Sequence, residues 1–122
     1  MRTYTHRVRE SILPKSIGDT FPAAFAEWFF TEEVVDHEQP IETCELCGQE
    51  RLRYHFEIAN EFNQNSMWVD FHCILQIDLA VYDEGRRLSH TEAKRKLDKL
   101  AEQMRQASCI RALDKPGKTE SK

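Results

Sequence analysis

The stretch CELCGQERLRYHFEIAN, residues 44–60, decides how this chain is expected to fold. It begins with two cysteines that are separated by two residues and followed by Gly48, and it continues as a run of alternating apolar and polar residues. A C-x2-C turn directs two sulfur atoms to one point, as a tetrahedral metal site requires. Strict alternation is typical of a half-buried strand. We therefore predict a metal-binding turn that leads directly into a strand.

The alternating run predicts a strand over residues 51–59, with His55 and Glu57 on its solvent side. The buried face would consist of Leu52, Tyr54, Phe56 and Ile58. The polar residues 60–66 then turn the chain, and residues 67–69 supply a returning strand. The predicted unit is a β-hairpin that starts at the cysteine turn.

Cys73 is the third candidate ligand, after Cys44 and Cys47. Asp70 is a suitable N-cap for a helix over residues 71–84, so Cys73 falls in the first turn of this helix. The hairpin brings the chain back, so this first turn should lie beside Cys44 and Cys47. The positive end of the helix dipole also favours a thiolate there. For the fourth ligand, His72 is the nearest candidate in the sequence. Three alternatives stay open: His37, Cys109 and Asp78.

Zinc is the predicted cofactor, because thiolates in a tight turn suit it.

The chain shows no apolar run of membrane-spanning length and no apolar segment of a signal peptide near its first residues, so we expect a cytoplasmic protein. Cysteines in a reducing compartment are expected as thiols instead of disulfides. In the alternative reading Cys44 and Cys47 form a redox pair, but a thioredoxin-like pair would precede a helix, whereas this one precedes a strand.

Two further elements are expected before the cysteine turn. Residues 3–13 alternate loosely and predict an edge strand. Asp19 or Thr20 can then cap a short helix with Pro22 in its first turn. Its aromatic residues at helical spacing are Phe21, Phe25, Trp28 and Phe29.

The most clearly marked helix covers residues 89–113. Ser89 and Glu92 form a capping box, in which each side chain can bind the backbone N–H of the other residue. One apolar stripe follows, made of Ala93, Leu97, Leu100, Met104 and Ala107. Residues 114–122 are polar and predicted to be disordered. The length of 122 residues suits a single domain over residues 1–113, with a zinc core at about residues 36–85.

The segments CELCG, LRYHFEIAN and MWVDFHCI together resemble the zinc-finger core of small bacterial and phage-associated proteins. The resemblance covers about residues 27–80 and implies a zinc site in a treble-clef-like unit, without implying an activity. That pattern usually has Gly and a small residue where this chain has Asp70 and Phe71, so we expect Phe71 to be exposed or in an interface. The predicted fold class is α+β: a treble-clef-like, zinc-stapled β-hairpin packed with two or three helices.

Charge is distributed unevenly along the chain. The net charge of −4 combines −10 over residues 1–85 with +6 over residues 86–122. A basic segment can contact phosphate groups without reading base sequence. The candidate nucleic-acid contacts are Arg86, Arg87, Lys94, Arg95, Lys96 and Lys99. We therefore predict a zinc-binding accessory protein of a bacterium or mobile element that binds DNA or RNA.

Two other functions stay open. A protein-interaction module, such as a regulator or a phage- or plasmid-encoded inhibitor, is favoured by a pI of about 5.7, which is low for a dedicated nucleic-acid binder. The acidic residues behind this alternative are Glu32, Glu33, Asp36, Glu38, Glu42, Glu45 and Glu50. A nuclease of the His-metal finger type would use His55 with Glu57 or Asn60. Since three or four protein ligands would fill the zinc shell, we expect a structural metal and no enzyme.

Overall fold

The computed structural model describes residues 3–114, which form an α+β fold with four α-helices and a three-stranded antiparallel sheet. In chain order the elements are α1 (Tyr4–Ile12), a 3₁₀ turn (Leu13–Lys15), α2 (Phe21–Phe25), β1 (Trp28–Asp36), β2 (Tyr54–Asn60), β3 (Ser66–Val69), α3 (Phe71–Gln76), β4 (Tyr82–Asp83), β5 (Arg86–Arg87) and α4 (His90–Asp114). Residues 115–122 of the predicted tail lie outside the described range. Within that range no helix has both the length and the apolar character needed to cross a membrane.

The sheet has the order β1-β2-β3, so the alternating sequence forms its central strand. Ile58 lies opposite Phe30 on one side and Met67 on the other, and all three side chains are buried. The β2–β3 pairing confirms the predicted hairpin. The strand begins at Tyr54 instead of residue 51, because Arg51 adopts a φ of 64° that no extended strand accommodates.

His55 is buried, which contradicts its predicted place on the solvent side of β2. The loop that follows β1 covers this side of the strand. His55 Nε2 lies 2.8 Å from the carbonyl oxygen of Thr43, and His55 Nδ1 lies 3.1 Å from Nε2 of His37. Alternation therefore identified the two sides of the strand correctly, but a local pattern does not show that a loop covers the polar side.

The predicted strand over residues 3–13 is wrong, because these residues form helix α1. The side chain of Thr3 caps the helix by accepting from the backbone N–H of His6 at 3.1 Å. Val8 and Ile12, four residues apart, are both completely buried. Four-residue spacing places them on one face of a helix. The same spacing is twice the two-residue period of a strand, so it also fits the loose alternation that suggested a strand.

Helix α2 is shorter than its aromatic spacing predicts, and Trp28 and Phe29 belong to β1. The backbone N–H groups of Ile17 and Gly18 donate to the buried carboxylate of Glu27, at 2.8 and 2.6 Å. These two bonds fix the turn before α2 to the residue that immediately precedes β1. Burial alternates from Trp28 to Thr31, as in a strand, until the irregularity at Glu32 interrupts it.

Helix α3 ends at Gln76, not at residue 84 as predicted. Asp78, with a φ of 54°, redirects the chain into an extended segment. The carbonyl oxygen of Ala80 in this segment accepts from the backbone N–H of Phe30 at 2.9 Å. A small β4–β5 hairpin follows, and Gly85 supplies its turn with a φ of 81°. The apolar residues after Gln76 therefore pack against β1 as extended chain.

Phe71 packs on the core instead of facing solvent or an interface. It is the first residue of α3, and its ring centroid lies 5.8 Å from that of Phe56 on β2. The ring centroid of His72 lies 4.3 Å from that of Phe71. The large side chain at this position thus extends the core beneath the sheet.

Helix α4 confirms the predicted capping box and apolar stripe. The carboxylate of Glu92 accepts from the backbone N–H of Ser89 at 3.0 Å, and the Ser89 hydroxyl accepts from the N–H of Glu92 at 3.2 Å. Ala93 and Leu97 on the stripe are buried. The helix packs against β1 and α3. It begins and ends within one residue of its predicted bounds.

The far end of α4 is attached to the sheet through the carboxylate of Asp36, which is 1% exposed. Arg53 donates to it from Nε at 2.7 Å and from Nη2 at 2.9 Å, and the hydroxyl of Ser108 on α4 donates at 2.6 Å. The bonds from Arg53, with a smaller contribution from Ser108, lower the pKa of Asp36 to about 2. This carboxylate links β1, the start of β2 and the last turns of α4.

We expect Asp36→Asn to lower the free energy of unfolding at pH 7 by about 1–2 kcal/mol, since Arg53 is only partly shielded from solvent. A pKa of about 2 in the fold against an ordinary 3.8 means that this stabilisation is complete above pH 4 and is lost as the pH falls towards 2. Denaturant unfolding at successive pH values would measure it. Glu33→Gln, on an exposed carboxylate of the same strand, is the control. The explanation would be contradicted if the difference in the free energy of unfolding between Asp36→Asn and wild type did not become smaller below pH 4.

Candidate metal centre

Cys44, Cys47 and Cys73 meet in one buried group. Their sulfur atoms all lie within 4.8 Å of one another, and Sγ of Cys44 is 3.7 Å from Sγ of Cys73. All four cysteines of the chain are free thiols, so no disulfide holds these segments together. The structure thus unites the cysteine turn with the first turn of α3, as the sequence predicted, in a group that could hold a metal ion.

The turn that carries Cys44 and Cys47 is built by backbone hydrogen bonds. The N–H of Gly48 donates to the carbonyl oxygen of Cys44 at 2.9 Å, and Gly48 has a φ of 83°, where a side chain would cause strain. The sulfur of Cys44 faces the backbone N–H of Cys47 at 3.5 Å and that of Asp70 at 3.3 Å. Both donors favour the thiolate form of Cys44.

Neighbouring elements hold this turn in place from two sides. The backbone N–H of Glu45 donates to the carbonyl oxygen of Trp68 at 2.9 Å, and the N–H of Trp68 donates to the Glu45 carboxylate at 3.0 Å. On the other side, Nε of Arg7 on α1 donates to the carbonyl oxygen of Cys47 at 2.8 Å. The cysteine turn therefore lies between the outer edge of β3 and the N-terminal helix.

The three thiols do not share one protonation state in the protein alone. The hydrogen bond from Cys73, together with the backbone N–H groups, lowers the pKa of Cys44 to about 5. Burial raises the pKa of Cys47. The pKa of Cys73 is also raised, first by its hydrogen bond to Cys44 and then by burial. A cation bound among the three sulfur atoms would favour the thiolate form of each of them.

His72, the predicted fourth ligand, does not lie in the group. Its side chain is 72% exposed, and its Nδ1 is 3.4 Å from the carboxylate of Asp70. Successive residues of a helix point about 100° apart, so the turn of α3 that directs Cys73 inward directs His72 outward. Sequence adjacency to Cys73 therefore gave a poor indication of spatial proximity.

The three alternative fourth ligands also lie elsewhere. His37 contacts His55 in the loop over β2. Cys109 is exposed on α4. Asp78 has a side chain that is 74% exposed and lies 3.8 Å from Arg87.

Tyr4 is a neighbour of the cluster that sequence reasoning missed. Its hydroxyl lies beside Cys73, and it is the one buried side-chain polar atom within residues 3–114 that has no hydrogen bond of satisfactory geometry. Burial, and after it the nearby thiols, raise the pKa of this hydroxyl. Tyr4, Cys47 and Cys73 also line a surface cleft of about 590 Å³. The signal in the sequence was the four-residue spacing from Tyr4 through Val8 to Ile12, which identifies one face of a helix.

Most of the predicted nucleic-acid contacts are engaged inside the chain. The intramolecular partners are Glu92 for Arg86, the Asp78 carbonyl for Arg87, Asp98 for Lys94, and Glu32 with the Tyr82 carbonyl for Lys96. Arg95 and Lys99 are exposed and make no hydrogen bond or ion pair within residues 3–114. Both line a groove of about 460 Å³ beside α4, together with Arg86 and Lys96. Of the six predicted contacts, therefore, two are unengaged within the part of the chain that the structure describes.

The predicted acidic cluster is divided in a similar way. Asp36 is buried against Arg53, Glu38 pairs with Arg111 at 3.0 Å, and Glu32 pairs with Lys96 at 2.8 Å. Glu45 binds the backbone of Trp68, and a carboxylate oxygen of Glu42 lies 4.0 Å from His37. Glu33 and Glu50 are exposed, and neither side chain has an ionic partner among residues 3–114.

The residues considered for a nuclease site hold the fold together. His55 bonds to Thr43 and His37, and the carboxylate of Glu57 accepts from the hydroxyl of Thr31 at 2.9 Å. Asn60 is buried, and its Nδ2 donates to the carboxylate of Glu27 at 2.7 Å. Their polar atoms are thus engaged in hydrogen bonds to neighbouring strands, loops and turns.

Comparisons with protein-family models, with curated proteins and with solved structures found no match. The functional argument therefore depends on the chemistry of the site itself. That chemistry is a buried group of three thiols, with a buried phenol beside it.

We expect Cys44→Ser, Cys47→Ser and Cys73→Ser each to reduce bound metal from about one equivalent to a small fraction, because each removes a sulfur from the group. Each should also unfold the protein, since the binding free energy of a structural metal contributes directly to folding. Metal content and circular dichroism would measure the two effects. Cys109→Ser, on the exposed cysteine outside the group, should change neither. Full metal content and a normal spectrum in the three variants would rule out a metal role for the group.

Proposed function

We propose that Cys44, Cys47 and Cys73 bind a zinc ion. The observation that carries this proposal is the 3.7 Å separation of the Cys44 and Cys73 sulfur atoms. A tetrahedron with zinc–sulfur bonds of about 2.3 Å has edges of about 3.8 Å. The thiols are buried and free, and backbone N–H groups face the sulfur of Cys44. Thiolate ligands select zinc over the hard cations calcium and magnesium.

The role that we propose for the ion is structural. It would link α3 to the cysteine turn, which also contacts β3 through Trp68 and α1 through Arg7. The order of cysteine turn, hairpin and helix supports a treble-clef-like unit, as the sequence resemblance implies. Stabilisation of this kind suits a chain of 122 residues with a modest core.

We further propose that the zinc-stabilised protein is a nucleic-acid-binding accessory protein of a bacterium or mobile element. This proposal is carried by Arg95 and Lys99, which lie one helical turn apart on α4 with no intramolecular partner among the described residues. Both cations line the groove that is bounded by Arg86 and Lys96. If two phosphates are neutralised, the logarithm of the binding constant should fall with the logarithm of the salt concentration with a slope of at most about 2 in magnitude. The binding would therefore be weak and independent of sequence.

We expect the double variant Arg95→Gln/Lys99→Gln to abolish salt-dependent binding of single- and double-stranded DNA and of RNA. The matched control is Arg87→Gln/Lys94→Gln, which removes the same charge from side chains that already have partners. Fluorescence anisotropy at several salt concentrations would give the slopes, and the control should keep most of the wild-type slope. Equal losses in the two double variants would show that the groove has no special role. A wild type that binds no nucleic acid at low ionic strength would eliminate this function.

A protein-interaction module is the second candidate, and one observation favours it. Ile110 and Leu113, near the end of α4, are 59% and 75% exposed. These two side chains lie one helical turn apart, so they could contribute to one apolar contact surface. The partner would then be the protein that this chain inhibits or regulates.

We expect Ile110→Ser/Leu113→Ser to lose a partner that co-purifies with the wild-type protein from its host, with no change in thermal stability. Arg95→Gln/Lys99→Gln should retain that partner, because its substitutions lie two or more turns away. Mass spectrometry of the co-purified material would give the partner's identity. If the partner stays bound to Ile110→Ser/Leu113→Ser, then this end of α4 is not the interaction surface.

A further inference from the structure

We propose that the hydroxyl oxygen of Tyr4 is the fourth ligand of the ion held by Cys44, Cys47 and Cys73. This inference rests on the proposed zinc site. Zinc in a structural site takes four protein ligands, so three thiolates leave one position to be filled. None of the four candidates from the sequence, His72, His37, Cys109 and Asp78, lies in the cysteine group.

The hydroxyl of Tyr4 is in the right place and has no other role among the described residues. Its oxygen atom is buried beside Cys73 without a satisfactory hydrogen bond, and Tyr4 lines the same cleft as Cys47 and Cys73. Buried polar groups almost always have a partner, so an exception of this kind calls for an explanation. A metal ion among the sulfur atoms would supply the missing partner.

Helix α1 holds the phenol in this position. Val8 and Ile12, one and two turns further along the helix, are completely buried in the core. Arg7 binds the carbonyl oxygen of Cys47 at 2.8 Å and so joins the same helix to the cysteine turn. The Tyr4 side chain is thus preorganised, and it would not need to move far to reach the ion.

The proposed coordination is chemically balanced. Zinc binding removes the phenolic proton of Tyr4 and the remaining protons of the cysteine thiols, all of which pass to solvent. Lone pairs of the phenolate oxygen and of the three sulfur atoms then form the four bonds to the ion. A bound cation stabilises an oxygen anion that is otherwise protonated at neutral pH, as it does for zinc-bound water. Three thiolates and one phenolate give the same net charge as a four-cysteine site, which is a standard structural zinc site. The cation of Arg7 lines the same cleft as Tyr4 and offsets part of that charge.

His72 is the rival that the experiment must separate from Tyr4. It lines the same cleft, but its side chain would have to leave Asp70 and turn inward to reach the sulfur atoms. An imidazole ligand would leave every tyrosine protonated. A tyrosine ligand would produce one tyrosinate per bound zinc, which has its own near-ultraviolet absorption band.

The experiment compares zinc-loaded wild type with Tyr4→Phe, His72→Ala and Tyr82→Phe at neutral pH. Tyr4→Phe keeps the aromatic ring and removes only the oxygen, whereas Tyr82→Phe removes the hydroxyl of an exposed tyrosine on β4 that does not line the cysteine cleft. We expect one tyrosinate per zinc in wild type, His72→Ala and Tyr82→Phe, and none in Tyr4→Phe. Competition with a chelator should show zinc affinity about 10- to 100-fold lower in Tyr4→Phe and unchanged in the other two.

The possible results separate this inference from the zinc site itself. Wild type that holds one zinc without a tyrosinate band would overturn the role of Tyr4 while leaving the zinc site intact. Loss of zinc affinity in His72→Ala, but not in Tyr4→Phe, would assign the fourth position to His72. Wild type that holds no zinc would overturn both proposals. If Tyr4→Phe does not fold, Tyr54→Phe completes the set of three tyrosines, and a band that persists in Tyr54→Phe and Tyr82→Phe belongs to Tyr4.

Discussion

The contact between the sulfur atoms of Cys44 and Cys73, 3.7 Å apart, is the constraint on which the rest of this structure depends. It joins residues that are 29 positions apart in the sequence and so closes the β2–β3 hairpin into a compact unit. Arg7 then attaches α1 to the same point. Helix α4 reaches the sheet separately, through Leu97 in the core and Ser108 on the Asp36 carboxylate. The fold therefore has a sulfur-centred part and a helical part with its own polar anchor.

Local hydrogen bonding explains which elements the sequence predicted well. The β2–β3 hairpin and the Ser89–Glu92 capping box depend on residues a few positions apart, so their patterns are visible in a short window. Residues 3–13 were misassigned because Val8 and Ile12 fit both a strand and a helix, and contacts with the cysteine turn favour the helix. Helix α3 stops early because Ala80 pairs with β1, a contact that no local pattern encodes.

The candidate site divides in the same way. The spacing and strand context of Cys44, Cys47 and Cys73 identify three thiols, because their convergence follows from the hairpin itself. Tyr4 reaches the group only through the packing of α1, so its proximity depends on tertiary structure. The availability of charged side chains is harder still to infer from the sequence. Lys96 belongs to the basic part of the chain and Glu32 to the acidic part, yet Nζ of Lys96 lies 2.8 Å from Oε1 of Glu32. Counting cations along the chain overestimates how many are available to a partner.

The hydrogen bonds between Glu45 and Trp68 have a consequence for the behaviour of the chain at high concentration. They occupy the backbone N–H and carbonyl groups of Trp68 on β3, the last strand of the sheet, and so hinder another chain from pairing at this residue. Opposite, the Ala80 segment covers part of β1 in the same manner. If the cysteine turn is released, the edge of β3 at Trp68 becomes open to intermolecular strand pairing. Conditions that open the cysteine group would then favour aggregation through this edge together with unfolding.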